Sequence, residues 1–253
     1  MLEVHLDLVN QHLKFQKVSL VEPSESYYLH IAAEIDHPIF PFFLTVSSKK
    51  RMLIGRAKEW CRQLERKDNF INATVFTASL IPPGRGKFIE ERKDKVHIAR
   101  FDFVILIEAK TKDEIISLQD NLGYKEIESA VKAVSVFTHI VIASNVKRIN
   151  PVNHNKQGVF LFNYFFADGL EQNLGAWEYT AGWFQQETGL DNSTVLLPID
   201  QKQSKYTIIN HCRWDKMKDI LPSLIFKKSF HTYVLDNFYS NKVAAMPVLY
   251  KIA

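Results

Sequence analysis

Lys205–Asp219 reads KYTIINHCRWDKMKD, and an earlier stretch, Asp102–Glu114, reads DFVILIEAKTKDE. Each looks like an apolar strand running into a helix. Setting Phe103 against Tyr206 puts Ile105 on Ile208, Leu106 on Ile209, Glu108 on His211, Ala109 on Cys212 and Lys110 on Arg213. One element therefore occurs twice, apolar in the first copy and carrying Asn210, His211, Arg213 and Trp214 in the second.

The flanking segments repeat in the same order. In the first copy, Phe42–Ser47 reads as a short strand and Arg51–Leu64 as an amphipathic helix with Ser47 or Ser48 as N-cap. Strands over Phe70–Ile81 and Arg100–Ala109, a helix over Lys112–Val134 and a strand over Phe137–Ala143 follow. Asn145–Lys156, with Pro151 and several asparagines, reads as a linker. The second copy runs through a strand Val159–Phe166, a helix Leu170–Gln186 with Asp168 as candidate N-cap, strands Ser193–Ile199 and Tyr206–Arg213, a helix Lys216–Tyr239 and a strand Val243–Ile252. Both read βαββαβ, the ferredoxin-like pattern of a four-stranded antiparallel sheet with helices on one face. The bare face of each sheet must be covered, and the other copy can cover it. The expected fold is α+β: two tandem units packed sheet to sheet, spanning 41–149 and 150–253. Residues 1–40 form an N-terminal β extension with strands LEVHLDLV, LKFQKVSLVE and YYLHIAAEI.

Hydrophobic residues at 46% and charged residues at 24% fit a globular chain, and 18 phenylalanines predict a large-ringed interior. The net charge of +4 comes from 32 basic and 28 acidic residues, and neither Lys49-Lys50-Arg51 nor Arg85–Lys95 forms a sustained basic face. No nucleic-acid partner is expected. Cys61 and Cys212 suggest neither a disulfide framework nor a cysteine-rich metal site. Glu3, His5 and Asp7 break the apolar run a signal peptide needs, and no run approaches a membrane span, so a cytoplasmic protein with no membrane partner is expected.

The second copy carries the candidate chemistry. Strand alternation puts Thr207, Ile209, His211 and Arg213 on one face, with Tyr206, Ile208, Asn210, Cys212 and Trp214 on the other. His211 is a candidate general base or proton donor, because imidazole titrates near working pH; a hydrogen-bonded structural histidine is the plainer alternative. Asn163 and Tyr164 interrupt VFLFNYFF. A buried amide without partners costs roughly 1–3 kcal/mol, so Asn163 either orients a ligand or ties a loop. His211, Arg213 and Asn163 are the candidate catalytic residues.

Tyr164, Trp177, Glu178, Trp214 and Arg85 are candidate substrate contacts. Glu178 beside Trp177 is either a buried acid or part of a solvated helix face, and the tryptophans serve as core or cavity wall. Arg85 sits in the long loop Pro82–Ile98, which suits a lid or an anion contact. The nine histidines make no H-x-x-x-H pair, so no metal is expected.

ARFDFVILIEAKTKDEIISLQDNLGYKEIESAV, over residues 99–131, resembles the dimeric α/β-barrel superfamily, which includes antibiotic-biosynthesis monooxygenases and EthD-like proteins. The resemblance covers Pro41–Ala253 and implies a tandem fusion, two ferredoxin-like units enclosing a cavity. It implies a small-molecule ligand, apolar or aromatic, in a group that spans cofactor-free oxygenases, haem-handling enzymes and isomerases; no cofactor is expected for this chain. The chain is then a cofactor-independent oxygenase or isomerase, or a non-catalytic binding or stabilising module, working as a monomer or a homodimer. A cavity open to His211 favours the enzyme; an interior plugged by Phe160, Phe162 or Trp177 favours the module.

Overall fold

The computed structural model describes residues 5–253. Eight strands alternate with helices: β1 Tyr27–Glu34, α1 Ser48–Glu65, β2 Phe70–Leu80, β3 Phe103–Ala109, α2 Lys112–Asp120, α3 Leu122–Val134 and β4 Phe137–Arg148 make the first unit. The second unit is β5 Val159–Ala167, α4 Leu170–Thr188, β6 Thr194–Pro198, β7 Ile208–Trp214, α5 Met217–Phe226, α6 Asp236–Ser240 and β8 Val243–Ile252. A 3₁₀ turn covers Lys87–Arg92 and a π-helical segment covers Phe230–Leu235.

The sheets run β4–β1–β3–β2 and β8–β5–β7–β6, every pair antiparallel, and they join along β2·β8 and β4·β6 to close an eight-stranded barrel. The expected tandem α/β barrel is the observed one. Its copies meet edge to edge around a shared interior. The reason strands such as VILI are apolar on both parities follows directly, since one face looks into the barrel and the other at the helices.

The first strand is not Phe42–Ser47. That stretch is irregular, held by bridges of Phe42 to Leu80 and to Ile39. The first sheet reaches back past residue 41 to YYLHIAAE, which pairs with β3 and β4 and is buried along most of its length. Hydrophobicity misleads at this point: Phe42–Ser47 is apolar and exposed, whereas Tyr27–Glu34 carries a histidine and a glutamate and is central. Of the strand expected over LEVHLDLV, residues 2–4 lie outside the described residues; from residue 5 onward this stretch and LKFQKVSLVE form no strand, with Val21 alone bridging to Arg148. They pack instead on the second unit, where Asn237 and Asn241 hydrogen-bond the backbone of Asp7 and Val9. A Cβ on Gly182 would fall 1.8 Å from the Gln16 carbonyl oxygen, so only glycine admits the crossing.

Two helices expected to be continuous are broken. Asn121 ends α2 and caps α3, its side chain accepting from the Gly123 amide at 2.8 Å. The helix expected over Lys216–Tyr239 divides into α5, the π segment and α6. Gly169 rather than Asp168 caps α4, Asp168 being paired with Arg92.

At the end of β1, the Asp102 carboxylate accepts from the Ile35 and Asp36 amides at 2.7 and 2.9 Å and from the Lys50 ammonium at 2.7 Å. Lys50 and Asp102 are both shut off from water. Burial pushes the Asp102 carboxyl up, while Lys50 and the two amides pull it back toward ionisation. The pair pins the start of α1 to the first sheet. Removing one partner strands a buried charge, which typically costs about 3–5 kcal/mol. Urea unfolding of Lys50→Met should show a loss of this size, with Lys50→Met/Asp102→Leu recovering much of it.

Candidate functional site

β5 and β7 lie side by side in the second sheet, with Phe162 opposite His211 and Asn163 opposite Asn210. Because neighbouring residues point to opposite faces, the two pairs enter different compartments. Phe160, Phe162 and Tyr164 fill the barrel interior with Phe76, Phe101 and Tyr250. Leu161 and Phe165 face the helices, where Asn163 lines two cavities beneath the helix layer. The candidate catalytic residues are therefore split, with His211 inside the barrel and Asn163 outside it.

His211 is enclosed by rings: Phe162 stacks on it at 4.2 Å and Phe76 meets it edge-on at 5.5 Å. Its Nδ1 lies 3.0 Å from the Leu161 carbonyl oxygen, which can only accept, so the proton sits on Nδ1. Nε2 is then an acceptor, and it meets Nε2 of His154 at 2.7 Å. His154, on the segment between the two units, supplies that proton and closes the barrel mouth. The space left beside the pair is about 40 Å³, bordered by Tyr28, Glu108 and Arg148. Deeper in, His30 Nε2 lies 3.3 Å from the Tyr164 hydroxyl, and His30 Nδ1 has no partner.

Arg213 ends β7 at the rim. Its guanidinium donates to the carbonyl oxygens of Lys156 and Gln157 and to the Asp215 carboxylate at 2.6–3.2 Å, fastening the inter-unit segment. It borders an open surface depression of about 600 Å³. Glu178 stands on the solvent side of α4, paired with Lys147 and Lys17. Arg85 lies at the opposite end of the barrel, in the loop that folds over that end; its Nε and Nη2 are buried without partners.

Asn163, Trp177 and Trp214 do converge. They line one of two adjoining cavities of about 30 Å³ each between the second sheet and its helices. Leu161, Asn163, Phe184 and Phe238 line both, so the Asn163 amide sits at the junction. Ile149, Phe165, Cys212, Thr180 and Asn210 complete the first lobe; Pro82, Pro83, Gly84, Phe230 and Val234 border the second. Asn163 is 8% exposed and its Oδ1 has no partner. Of the other polar groups, Thr180 donates to the Ala176 carbonyl at 2.9 Å, Trp214 to the Thr188 hydroxyl at 3.0 Å, and Ser193 to Asn210 Oδ1 at 2.6 Å. Burial pushes the Cys212 thiol well up, leaving it neutral. Among the described residues, neither lobe is lined by a carboxylate, histidine, lysine or arginine.

The sequence repeat locates this pocket more finely than single residues do. In the first unit the pair at the matching register is Leu29–Ile107; in the second it is Asn163–Asn210. An apolar cross-strand pair has become two amides. Half of this was visible, because setting Phe103 on Tyr206 also sets Ile107 on Asn210. The rest of the pocket, Phe184, Phe238 and Pro82–Gly84, comes from three separate segments that no local pattern ties together. His154 carried no sequence signal beyond being one of nine histidines.

No family model matches the sequence, and no curated protein matches it. Among solved structures, the fold resembles an anthrone oxidase-like protein with a TM-score of 0.63 at 9% identity, over 91% of this chain and 92% of that one. It also resembles a candidate dyp-type peroxidase from Shewanella oneidensis (0.54, 9%, 94% and 96%) and a candidate monooxygenase from Fusobacterium nucleatum (0.53, 6%, 90% and 93%). The fold is that of the dimeric α/β barrels, with both units in one chain. Among the described residues no three His, Cys, Asp or Glu gather closely enough to hold a metal ion.

Burial holds His30 and His211 well below the ordinary imidazole range and brings His139 and His154 down to about 4. Each stays neutral in the folded chain at mildly acidic pH, yet gains a proton on unfolding, where imidazole titrates near ~6.5. Stability should thus be full above about pH 7 and fall as pH drops from about 6.5 toward 4, by up to about 1.4 kcal/mol per pH unit for each such histidine. Urea midpoints across that range test this, and His154→Gln should flatten the slope. An unflattened slope would mean that folded His154 already carries the proton.

Proposed function

We propose that this chain is a small-molecule-binding barrel, and that its site is the two-lobed cavity around Asn163. The observation that carries this is the unpaired Asn163 Oδ1 in an enclosure walled by Trp177, Phe184, Trp214 and Phe238. A buried acceptor left without a donor costs on the order of 1–3 kcal/mol, and a ligand donor relieves it. Each lobe, at about 30 Å³, is water-sized as it stands, so the ligand proposed, small, largely apolar or aromatic and carrying one hydroxyl or N–H, enters only when the cavity widens. Phe184, partly exposed and bordering both lobes, is the side chain whose rotation would widen the space.

The plugged interior bears on the choice between enzyme and binding module. Phe76, Phe160 and Phe162 crowd the barrel around His211, its Nε2 is already taken by His154, and the space beside the pair is about 40 Å³. The two-lobed cavity around Asn163 contains no ready base. Binding is accordingly the reading this geometry favours. A cofactor-independent oxygenation or isomerisation would use the same pocket, with Asn163 holding the ligand's phenol or enol; the oxidase-like structural neighbour supports that ligand class.

Asn163→Leu separates a ligand site from a structural amide. It removes the orphaned acceptor, so urea unfolding should show unchanged or higher stability, by up to about 1–3 kcal/mol. Quenching of Trp177 and Trp214 fluorescence by phenol or indole should weaken about tenfold or more, the equivalent of about 1.4 kcal/mol, while toluene is affected less. A destabilised variant that binds phenol unchanged would refute the assignment.

A further inference from the structure

The segment leading from β1 to α1, HPIFPFFLTVSSKKRM over residues 37–52, is the stretch whose apolar character suggested a buried strand. Its side chains face water: Phe40 is 70% exposed, Leu44 69%, Met52 64%, Ile39 62%, Phe42 48% and Val46 43%. Single exposed apolar residues are ordinary, but six within fourteen positions are a surface that something covers. The backbone beneath is anchored. Phe43 donates to the Ser79 carbonyl at 3.1 Å, and the Pro41 carbonyl accepts from Ile81 at 2.8 Å. The apolar side chains are thus presented from a fixed base on β2.

The exposed charges on the segment are of one sign, and the neighbouring Asp36 carboxylate is half-buried on the Ser47 amide at 2.9 Å. Residues 37–52 contain no acid, and Lys49 and Arg51 are exposed beside the apolar tip, whereas Lys50 is spent inside on Asp102. Aromatic and aliphatic side chains flanked by free cations suit the boundary between anionic headgroups and acyl chains. A second copy suits the patch less well, because a two-fold contact would bring Lys49 and Arg51 of both copies together. Pro38 and Pro41 also remove backbone donors that strand addition would need.

We propose that this corner docks the protein on an anionic membrane surface. The earlier expectation of no membrane partner rested on spanning length. No helix among the described residues is long and apolar enough to cross a membrane, but surface docking requires only a patch. The proposal stands independently of the Asn163 pocket.

The test is vesicle flotation of the full chain with phosphatidylcholine alone and with phosphatidylcholine–phosphatidylserine mixtures, alongside sedimentation to follow self-association. The expected result is binding to the mixed vesicles that weakens with salt and drops about tenfold or more in either Phe40→Asp/Leu44→Asp or Lys49→Glu/Arg51→Glu. These substitutions lie on exposed side chains, and matching thermal unfolding confirms that the variants are folded. The proposal is overturned if anionic vesicles do not bind the protein, or if both variants bind like the parent. It is equally overturned if the parent is a dimer that Phe40→Asp/Leu44→Asp splits with no vesicle binding by either form.

Discussion

Closing eight strands into a barrel leaves a lumen that side chains can fill or that can hold one small ligand, and here side chains fill it. Everything else in this molecule adjusts to that filled lumen. With Phe76, Phe101, Phe160, Phe162, Tyr164 and Tyr250 all turned inward, the interior is spent on packing. His30 and Tyr164 occupy matching registers in the two copies, Tyr28 and Phe162 being opposite Glu108 and His211 respectively, and they hydrogen-bond each other. The interior thus joins the halves. The cavities around Asn163 lie on the other side of a sheet, between strands and helices.

Duplication makes such a space tolerable. Apart from the Lys50–Asp102 pair at its edge, the first unit's sheet–helix core is apolar, with Leu29, Ile31, Ile105 and Ile107 against Leu53, Trp60, Tyr124 and Ile127. It has no amide to satisfy. The second unit keeps the same strand order yet places Asn163 and Asn210 where the first has Leu29 and Ile107. Because both sheets belong to one closed barrel, the tightly packed copy holds the register that the polar copy would otherwise weaken. One half packs its cross-strand pair as Leu29–Ile107, and the other holds an amide oxygen without a partner.

The repeat was legible because it was written in strand pattern, and the Phe103-on-Tyr206 alignment survives as paired inward and outward residues. What failed was the choice of first strand. FFLTVS has the higher mean hydropathy, because YYLHIAAE carries a histidine, a glutamate and two tyrosines; only the sheet shows that the histidine in YYLHIAAE is a barrel residue. The site was half legible for a related reason. Asn163, Trp177 and Trp214 were picked out as unusual residues on periodic elements, and they do meet. His211 was picked out equally well by its chemistry, but alternation along β7 sends it to the opposite face from Asn163. A sequence shows that two residues on different strands are both unusual; it does not show whether their two alternations agree.

The helix layer over the pocket carries the remaining consequence. Where the first unit spans its sheet with α2 and α3 broken only at Asn121, the second breaks between α5 and Phe230 and then continues as a π segment. The extra residue per turn in a π segment widens the helix and is common at functional sites. Here Phe230 and Val234 from that segment, with Gly84 at φ 122°, form the far wall of the second lobe. A Cβ at Gly84 would meet the Phe230 ring at 2.9 Å, so loop and π segment are fitted to each other. The N-terminal strap then lies over these elements, Phe15 packing on Tyr233 at 4.5 Å and Asn237 holding Val9. An irregular roof of this kind would be loose by itself. The strap supplies the packing that a straight helix would have supplied, which lets the second unit keep a cavity over its sheet and still close it from water.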